Sequence, residues 1–426
     1  MSPAVITLLI LLLAAILFLT EKLPVAVTAL LSALLLYITG VVDAETIFSG
    51  FTNNVVILIT GMFVIGASLF ETGVAKKIGQ LITKFAKTEK QLLLAIMLIG
   101  AGLSAFLSNT STTAVLMPIV IMIAASSGFS SSKLLMPLAY ATALGGMITL
   151  VGTNGNLAVQ GVMENENVPV FGFFEFAYIG IPLTIVGIIY MMTIGYKLIP
   201  DREGGTMIGD LDLSKIENEE KNENHTPVKQ FMSVAVLIIA IIFMVFEEQI
   251  GVPLHVVSIM GAVVLVVTRT MTEKQAYRSL DLSTIILVAA MMPMATALGE
   301  TGAANMIADS VLGIVGGDAS PYVLTGIIFC ITALLTSVMS NTAAAALMAP
   351  IGLVLAVSIG ADPKAVMMTV AVGASAAYAS PIGTPPNTMI YGPGNYTFMD
   401  YIKCGFPFLV IQLIICVIVV PMIWPF

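Results

Sequence analysis

Histidine is nearly absent from this 426-residue chain, with two in all, His225 in a polar segment and His255 near the start of an apolar run. A histidine-based metal centre or catalytic triad is thereby excluded, and with no nucleophile set beside a base, so is an intramembrane enzyme. Cysteine is equally sparse: Cys330, Cys404 and Cys416 stand singly in apolar sequence, so neither a CxxC pair nor a disulfide framework can be made from them. Charge is scarce too. Charged residues make up 10% of the chain against 58% hydrophobic, and the mean hydropathy of +1.02 exceeds what a soluble globule of this length could solvate. These shortages leave a polytopic membrane protein, with neither a nucleic-acid partner nor an organic cofactor expected. The first apolar run, residues 4–19, lacks a charged n-region and a small-residue cleavage site, and so reads as a span rather than a cleavable leader.

What the chain does have is apolar length. Runs sufficient to cross a bilayer, about 20 residues at 1.5 Å rise, fall at 4–19, 23–41, 54–72, 134–150 and 174–198, then again at 230–247, 253–268, 283–299, 364–380 and 404–424. Between the third and fourth runs of each half lies a longer apolar segment, 91–127 and 321–359, each interrupted by Ser-Asn-Thr and then a proline, as LSNTSTTAVLMPI from Leu107 and MSNTAAAALMAPI from Met339. A second pair of breaks follows, Gly152-Thr153-Asn154-Gly155-Asn156 and Gly383-Thr384-Pro385-Pro386-Asn387. Ser108 to Ser340 is 232 residues and Gly152 to Gly383 is 231, which marks an internal duplication. A backbone break facing lipid costs several kcal/mol, so such breaks must be buried or line an aqueous cavity. Both Ser-Asn-Thr segments therefore read as re-entrant helical hairpins that enter and leave on one side.

Ten spans then fix the side of every loop. Sixteen of the seventeen basic residues fall on one side and Lys364 alone on the other, which makes the first side cytoplasmic and places both termini outside. Because each half holds five spans, the halves sit in opposite orientations. The expected fold is an all-α polytopic membrane protein of two inverted repeats, each five transmembrane helices plus one re-entrant hairpin. Residues 1–200 form the first repeat, with its hairpin at about 91–127 and a broken helix at about 134–165. Residues 229–426 form the second, with its hairpin at about 321–359 and a broken helix at about 364–395. The polar, acidic segment 201–228 reads as a solvated cytoplasmic linker. Ala75 to Phe85 has the amphipathic pattern of an interfacial helix.

Hydroxyls, asparagine carbonyls and freed backbone carbonyls are hard oxygen ligands, suited to a small alkali cation without a buried carboxylate. A helix broken at such a cluster also aims the N-H groups and positive dipole end of its second half at the same point, where they attract an anion. Ser104 before Ser108, and Thr336 before Ser340, are spaced to share a helical face and enlarge each cluster. No carboxylate occurs from Leu92 to Lys133 or from Tyr322 to Gly360, which argues against proton coupling. Glu71 and Glu300, each in Glu-Thr-Gly, match between the halves but lie near an interface and are left out of the site.

With these motifs the chain resembles the divalent anion:sodium symporter family, the dicarboxylate, citrate and sulfate carriers of the ion transporter superfamily, over essentially its whole length. The resemblance implies a homodimer whose scaffold stays fixed while a transport part, holding both hairpins, moves as an elevator in the cell membrane. It implies a first sodium site at Ser104, Ser108, Asn109 and Gly152 and a second at Thr336, Ser340, Asn341 and Gly383. Asn109, Thr110, Asn341, Thr342, Thr384 and Pro385 are then expected to hold the anion. Sodium-coupled symport of a C4-dicarboxylate is the leading expectation, with a sulfate or other oxyanion symporter, or a proton-coupled or exchanging carrier, as the alternative. Two features depart from the family pattern: an additional N-terminal span of many members has no counterpart, and Asn154-Gly155 stands where the second half has two prolines.

Overall fold

Backbone in lipid must satisfy its own hydrogen bonds, and for segments of this kind the helix is the local solution. The computed structural model describes residues 2–85, 88–202, 226–315 and 320–425, and these are helical with no strand among them. The first half runs through α1 (Pro3–Thr20), α2 (Val25–Ile38), α3 (Thr46–Ser49), α4 (Asn54–Glu71), α5 (Val74–Phe85), α6 (Glu89–Ser104), α7 (Asn109–Ser127), α8 (Ser131–Gly146), α9 (Asn154–Asn165), α10 (Ala177–Tyr190) and α11 (Tyr196–Leu198). The second runs through α12 (Pro227–Val245), α13 (Glu247–Ile250), α14 (Leu254–Val267), α15 (Glu273–Arg278), α16 (Leu282–Thr301), α17 (Ala303–Val315), α18 (Pro321–Thr336), α19 (Asn341–Ser358), α20 (Pro363–Ala374), α21 (Pro385–Tyr391) and α22 (Phe398–Ile423). Among the described residues eight helical stretches are long and apolar enough to cross a membrane, and α2, α14 and α18 are shorter apolar helices. Most of the linker reading, 203–225, lies outside the described residues.

All ten apolar runs carry helices, but several bounds differ from the hydropathy pattern. The runs at 134–150 and 364–380 stop early, as α8 at Gly146 and α20 at Ala374, because the chain turns there to form the site. The run at 174–198 is interrupted by a π-helical turn at Met191–Gly195 between α10 and α11. Ser104 ends α6 and Asn109 begins α7, so Ser104 and Ser108 lie on separate helices and share no face; the same holds for Thr336 and Ser340. The interfacial helix is present as α5, and a helix with no forecast, α17, stands at the corresponding place in the second half. Each follows a Glu-Thr-Gly whose glycine is left-handed, Gly73 at φ +75° and Gly302 at φ +74°, so the motif is a helix stop rather than a site.

Burial separates a core from a lipid-facing shell. Every residue of α8 is buried, as are Ala365 to Ala374 of α20, whereas α1, α10, α12 and α22 present exposed large apolar residues such as Leu12, Ile185, Ile239 and Ile414. The two halves exchange partners reciprocally: α4 packs on α14 and α2 on α16, while α9 packs on the second hairpin helix α19 and α21 on the first hairpin helix α7. Two ionic clasps among the described residues add to this, one between the halves and one from the start of the linker to the second half. Arg202 pairs with Asp400 at 2.7 Å, and Lys364 pairs with Glu175 at 2.9 Å.

Candidate functional site

The site begins with two helix starts. Ser108 and Ser340 are extended N-caps whose hydroxyls accept from Ser111 N and Ala343 N, each at 3.2 Å. The hydroxyls that carry two of the expected cation contacts thus serve as caps, and the asparagine after each cap is turned inward. The inner atom of the Asn109 amide lies 2.7 Å from Ser104 Oγ, 2.9 Å from Thr142 O and 3.2 Å from Gly152 O. That of Asn341 lies 2.8 Å from Thr336 Oγ1, 3.2 Å from Ala374 O and 3.1 Å from Gly383 O. Ser104, Thr336 and the loops at Gly152 and Gly383 therefore converge on the asparagines, although not by the shared helical face that the spacing suggested.

The carbonyls of Thr142 and Ala374 were missed, because a backbone oxygen leaves no mark in sequence beyond the end of its helix. Asn156 and Asn387 brace the two loops. Asn156 Nδ2 donates to Thr149 O at 2.9 Å and Gly146 O at 3.3 Å, and Asn387 Nδ2 donates to Ser380 O at 2.9 Å and Ala377 O at 2.8 Å. Both residues are buried and both stand in the paired loop motifs, which was the signal available for them. Glycine is required where the loops close: a Cβ on Gly152 would lie 2.5 Å from Gly146 O, and one on Gly383 would collide with Thr336 O.

In front of the asparagines lies a cavity of about 230 Å³, lined by both hairpin tips and both loops. All six residues expected to hold the anion, Asn109, Thr110, Asn341, Thr342, Thr384 and Pro385, face it, together with Gly152, Ser108 and Ser340. Ser104, Thr336 and Gly383 are not among its lining residues and stand in the clusters at the asparagines. The start of α16 supplies a wall the sequence did not announce. There Asp281 caps the helix, accepting from Thr284 N at 3.1 Å and from Thr284 Oγ1 at 2.6 Å, and Thr284 Oγ1 in turn accepts from Asn154 Nδ2 at 3.1 Å. Asp281 is the one charged side chain among the residues lining the cavity. A larger hollow of about 370 Å³ between α4, α14 and α15 is almost wholly apolar and offers no comparable set of polar groups. Glu71 and Glu300 line neither space, and Glu71 accepts from Gln275 Nε2 at 2.5 Å.

The chain has relatives among transporters. The family description "citrate transporter" (CitMHS) matches residues 15–370 and, in a second alignment, 241–426. The Escherichia coli protein called uncharacterized transporter YfbS is 26% identical, the match covering 97% of this chain and 98% of that one. The sodium-dependent dicarboxylate transporter SdcS of Staphylococcus saprophyticus is 25% identical over 96% of this chain and 84% of its own. Among solved structures, the fold is similar to that of the Alcanivorax borkumensis YdaH transporter, with TM-score 0.64 at 12% identity over 89% of this chain and 87% of that one. It is also similar to Neisseria gonorrhoeae MtrF, with TM-score 0.60 at 17% identity over 92% and 84%. By the extent of the family match, together with the helices able to cross a bilayer, the chain belongs to the citrate transporter family and is a multi-pass membrane transporter.

Proposed function

We propose that the protein is a sodium-coupled symporter of a small divalent anion, a C4-dicarboxylate such as succinate, malate or fumarate. One observation carries the reading: two matched clusters of neutral oxygens stand at the asparagines of a cavity that no lysine or arginine lines among the described residues. A dianion there, facing the Asp281 carboxylate as well, needs positive charge from elsewhere. Helix N-termini at α7, α9 and α19 supply part of it. Cations bound behind the asparagines supply the rest.

The asparagine amide suits both partners. With its oxygen inward, Asn109 Oδ1 joins Ser104 Oγ, Thr142 O and Gly152 O as a set of hard ligands, and its NH2 turns to the cavity, where it donates to a carboxylate. With its nitrogen inward, two N-H groups face three oxygens and the amide oxygen faces the cavity, where it repels an anion. Asn341 offers the same alternatives with Thr336, Ala374 and Gly383. Sodium and dicarboxylate then favour one amide orientation, and their affinities rise together.

The reciprocal contacts between the halves support two inverted repeats, with the hairpins and broken helices moving as an elevator against the remaining helices within a homodimer. Lys364, the single basic residue assigned outside, is paired with Glu175, which supports the charge-based orientation with residues 201–228 cytoplasmic. The sodium-dependent dicarboxylate transporter among the relatives supports the cation and substrate class. The test is uptake of radiolabelled succinate, citrate and sulfate by the purified chain in proteoliposomes. Succinate uptake rising steeply with inward sodium is expected; equal uptake in sodium-free buffer under a pH gradient sinks the coupling, and preference for sulfate sinks the substrate.

A further inference from the structure

A second cavity of about 240 Å³ abuts the first, and Ser108 and Asn154 line both. Its lining combines apolar side chains, among them Met62, Phe63, Phe70 and Phe106, with polar Ser108, Ser111, Asn154, Ser279 and Arg278. Arg278 is the one charged side chain among its lining residues, and it makes no salt bridge or side-chain hydrogen bond among the described residues. It sits in the last turn of α15, three residues before Asp281, so one short segment presents a cation to the second cavity and an anion to the first.

We propose that this second cavity is an anion subsite, a vestibule that the dicarboxylate occupies on its way to or from the central cavity, with the Arg278 guanidinium as its charged contact. The inference rests on the anion-transport reading above. A planar guanidinium with no carboxylate partner suits bidentate capture of a carboxylate. Its position fits a way station rather than the transport site itself. Were the arginine in the central cavity, it would hold the dianion whether or not sodium was bound; at the adjoining cavity it raises local anion concentration and leaves the coupling to the asparagines. The apolar side chains of the lining are suited to the methylene backbone of a dicarboxylate, which an inorganic oxyanion lacks.

Two measurements test the subsite in the full-length protein. The first is succinate uptake by Arg278→Gln and Arg278→Lys in proteoliposomes. Arg278→Gln should raise KM roughly tenfold, a modest share of what electrostatic focusing in a cleft supplies, with the maximal rate close to the parent. Arg278→Lys should recover most of the loss, and added salt should raise KM in the parent but hardly in Arg278→Gln. An unchanged KM in Arg278→Gln overturns the proposal. The second measurement needs no transport: Ser279→Cys, in a background with Cys330, Cys404 and Cys416 replaced, is labelled by a maleimide with and without succinate. Succinate should slow labelling, and should not do so once Arg278→Gln is added; labelling at the same rate with and without succinate overturns the subsite. A parent that binds succinate by this criterion but shows no sodium-driven uptake refutes the transport reading and leaves the subsite standing.

Discussion

At the tip of α7, Ser108 Oγ lies 2.8 Å from Ser111 Oγ, whereas the residue at the same place beside Ser340 on α19 is Ala343. The loops differ in the same sense. In the first half Asn154 begins α9 and reaches Thr284 on α16, followed by Gly155, whose surroundings leave ordinary van der Waals room for a Cβ. In the second half Pro385 and Pro386 begin α21, fix φ and donate no N-H. Behind these unlike finishes the amide clusters match nearly atom for atom. On the sodium-coupled reading proposed above, the two halves hold the small spherical ion alike, by backbone and amide oxygens, and meet the larger substrate differently, one with donors and an adaptable loop and the other with a stiff surface.

The matched part of this comparison predicts the largest effects. Asn109→Ala and Asn341→Ala each remove the amide from a desolvated polar cluster, a loss of roughly 1 to 3 kcal/mol, or about 5- to 150-fold in binding. Both changes should weaken sodium and succinate together, since linkage makes their coupling reciprocal. Expression should survive. Variants that fold and transport at the parental rate under limiting sodium and succinate would place the ion sites elsewhere.

Glycine sharpens the comparison at the next level. Gly383→Ala forces a Cβ against Thr336 O, and Gly152→Ala forces one against Gly146 O, so each should cost about 1 to 3 kcal/mol in the site's geometry. Gly155→Ala meets nothing closer than 3.6 Å and should transport within about twofold of the parent, as an uncrowded substitution does. Uptake assays on the three variants separate a rigid requirement at the cluster from latitude at the loop. Equal loss at Gly155 would mean that the first loop is as confined as the second.

The unmatched part predicts a smaller effect. Thr284→Val removes the hydroxyl that joins Asp281 to Asn154, a link with no counterpart at Pro385. Of the two hydrogen bonds lost, the one to Asn154 in the cavity lining contributes about 0.5 to 1.5 kcal/mol, or roughly 2- to 10-fold. Succinate KM should rise by that factor with the sodium dependence little changed. A variant that lost sodium dependence instead would make α16 part of an ion site.

Some of the matched features were readable in the chain, and of the unmatched ones only Asn154-Gly155 against two prolines. Spans were legible because lipid forces apolar length, and the paired breaks because a polar interruption recurring at one fixed separation marks a repeated unit. Asn109 and Asn341 were legible for the same reason, whereas the shared helical face that drew in Ser104 and Thr336 is not formed. The Thr142 and Ala374 carbonyls were not legible, since any residue type supplies a backbone oxygen. Nor was the wall at Asp281 and Thr284, whose Asp-x-x-Thr pattern is that of any capped helix and whose place beside Asn154 comes from packing across 130 residues. The helix ends at Gly146 and Ala374 fell inside apolar runs, so hydropathy carried the spans past them.

The smallest effects belong to the two clasps, and there the comparison predicts likeness. Each carboxylate also holds a turn or helix start, while on the basic side Arg202 donates in addition to Asn395 O at 2.7 Å. Glu175 accepts from Lys364 Nζ at 2.9 Å, from Trp424 Nε1 at 2.8 Å and from Gly172 N at 2.9 Å. Asp400 accepts from Arg202 at 2.7 Å, and from Thr397 N and Oγ1 at 2.7 and 2.8 Å as part of the capping box of α22. The ionic term is small because solvent reaches both pairs, with side-chain exposures of 35% and 8% for Arg202 and Asp400 and 21% and 18% for Lys364 and Glu175. Lys364→Gln and Arg202→Gln should therefore cost about 0 to 1 kcal/mol each. Glu175→Gln and Asp400→Asn strand further donors and should cost about 1 kcal/mol more. Thermal inactivation of the purified variants in detergent measures the order. Equal losses for base and carboxylate in either pair would show that the ion pair itself, and not the hydrogen-bonded turn around the acid, holds the two segments together there.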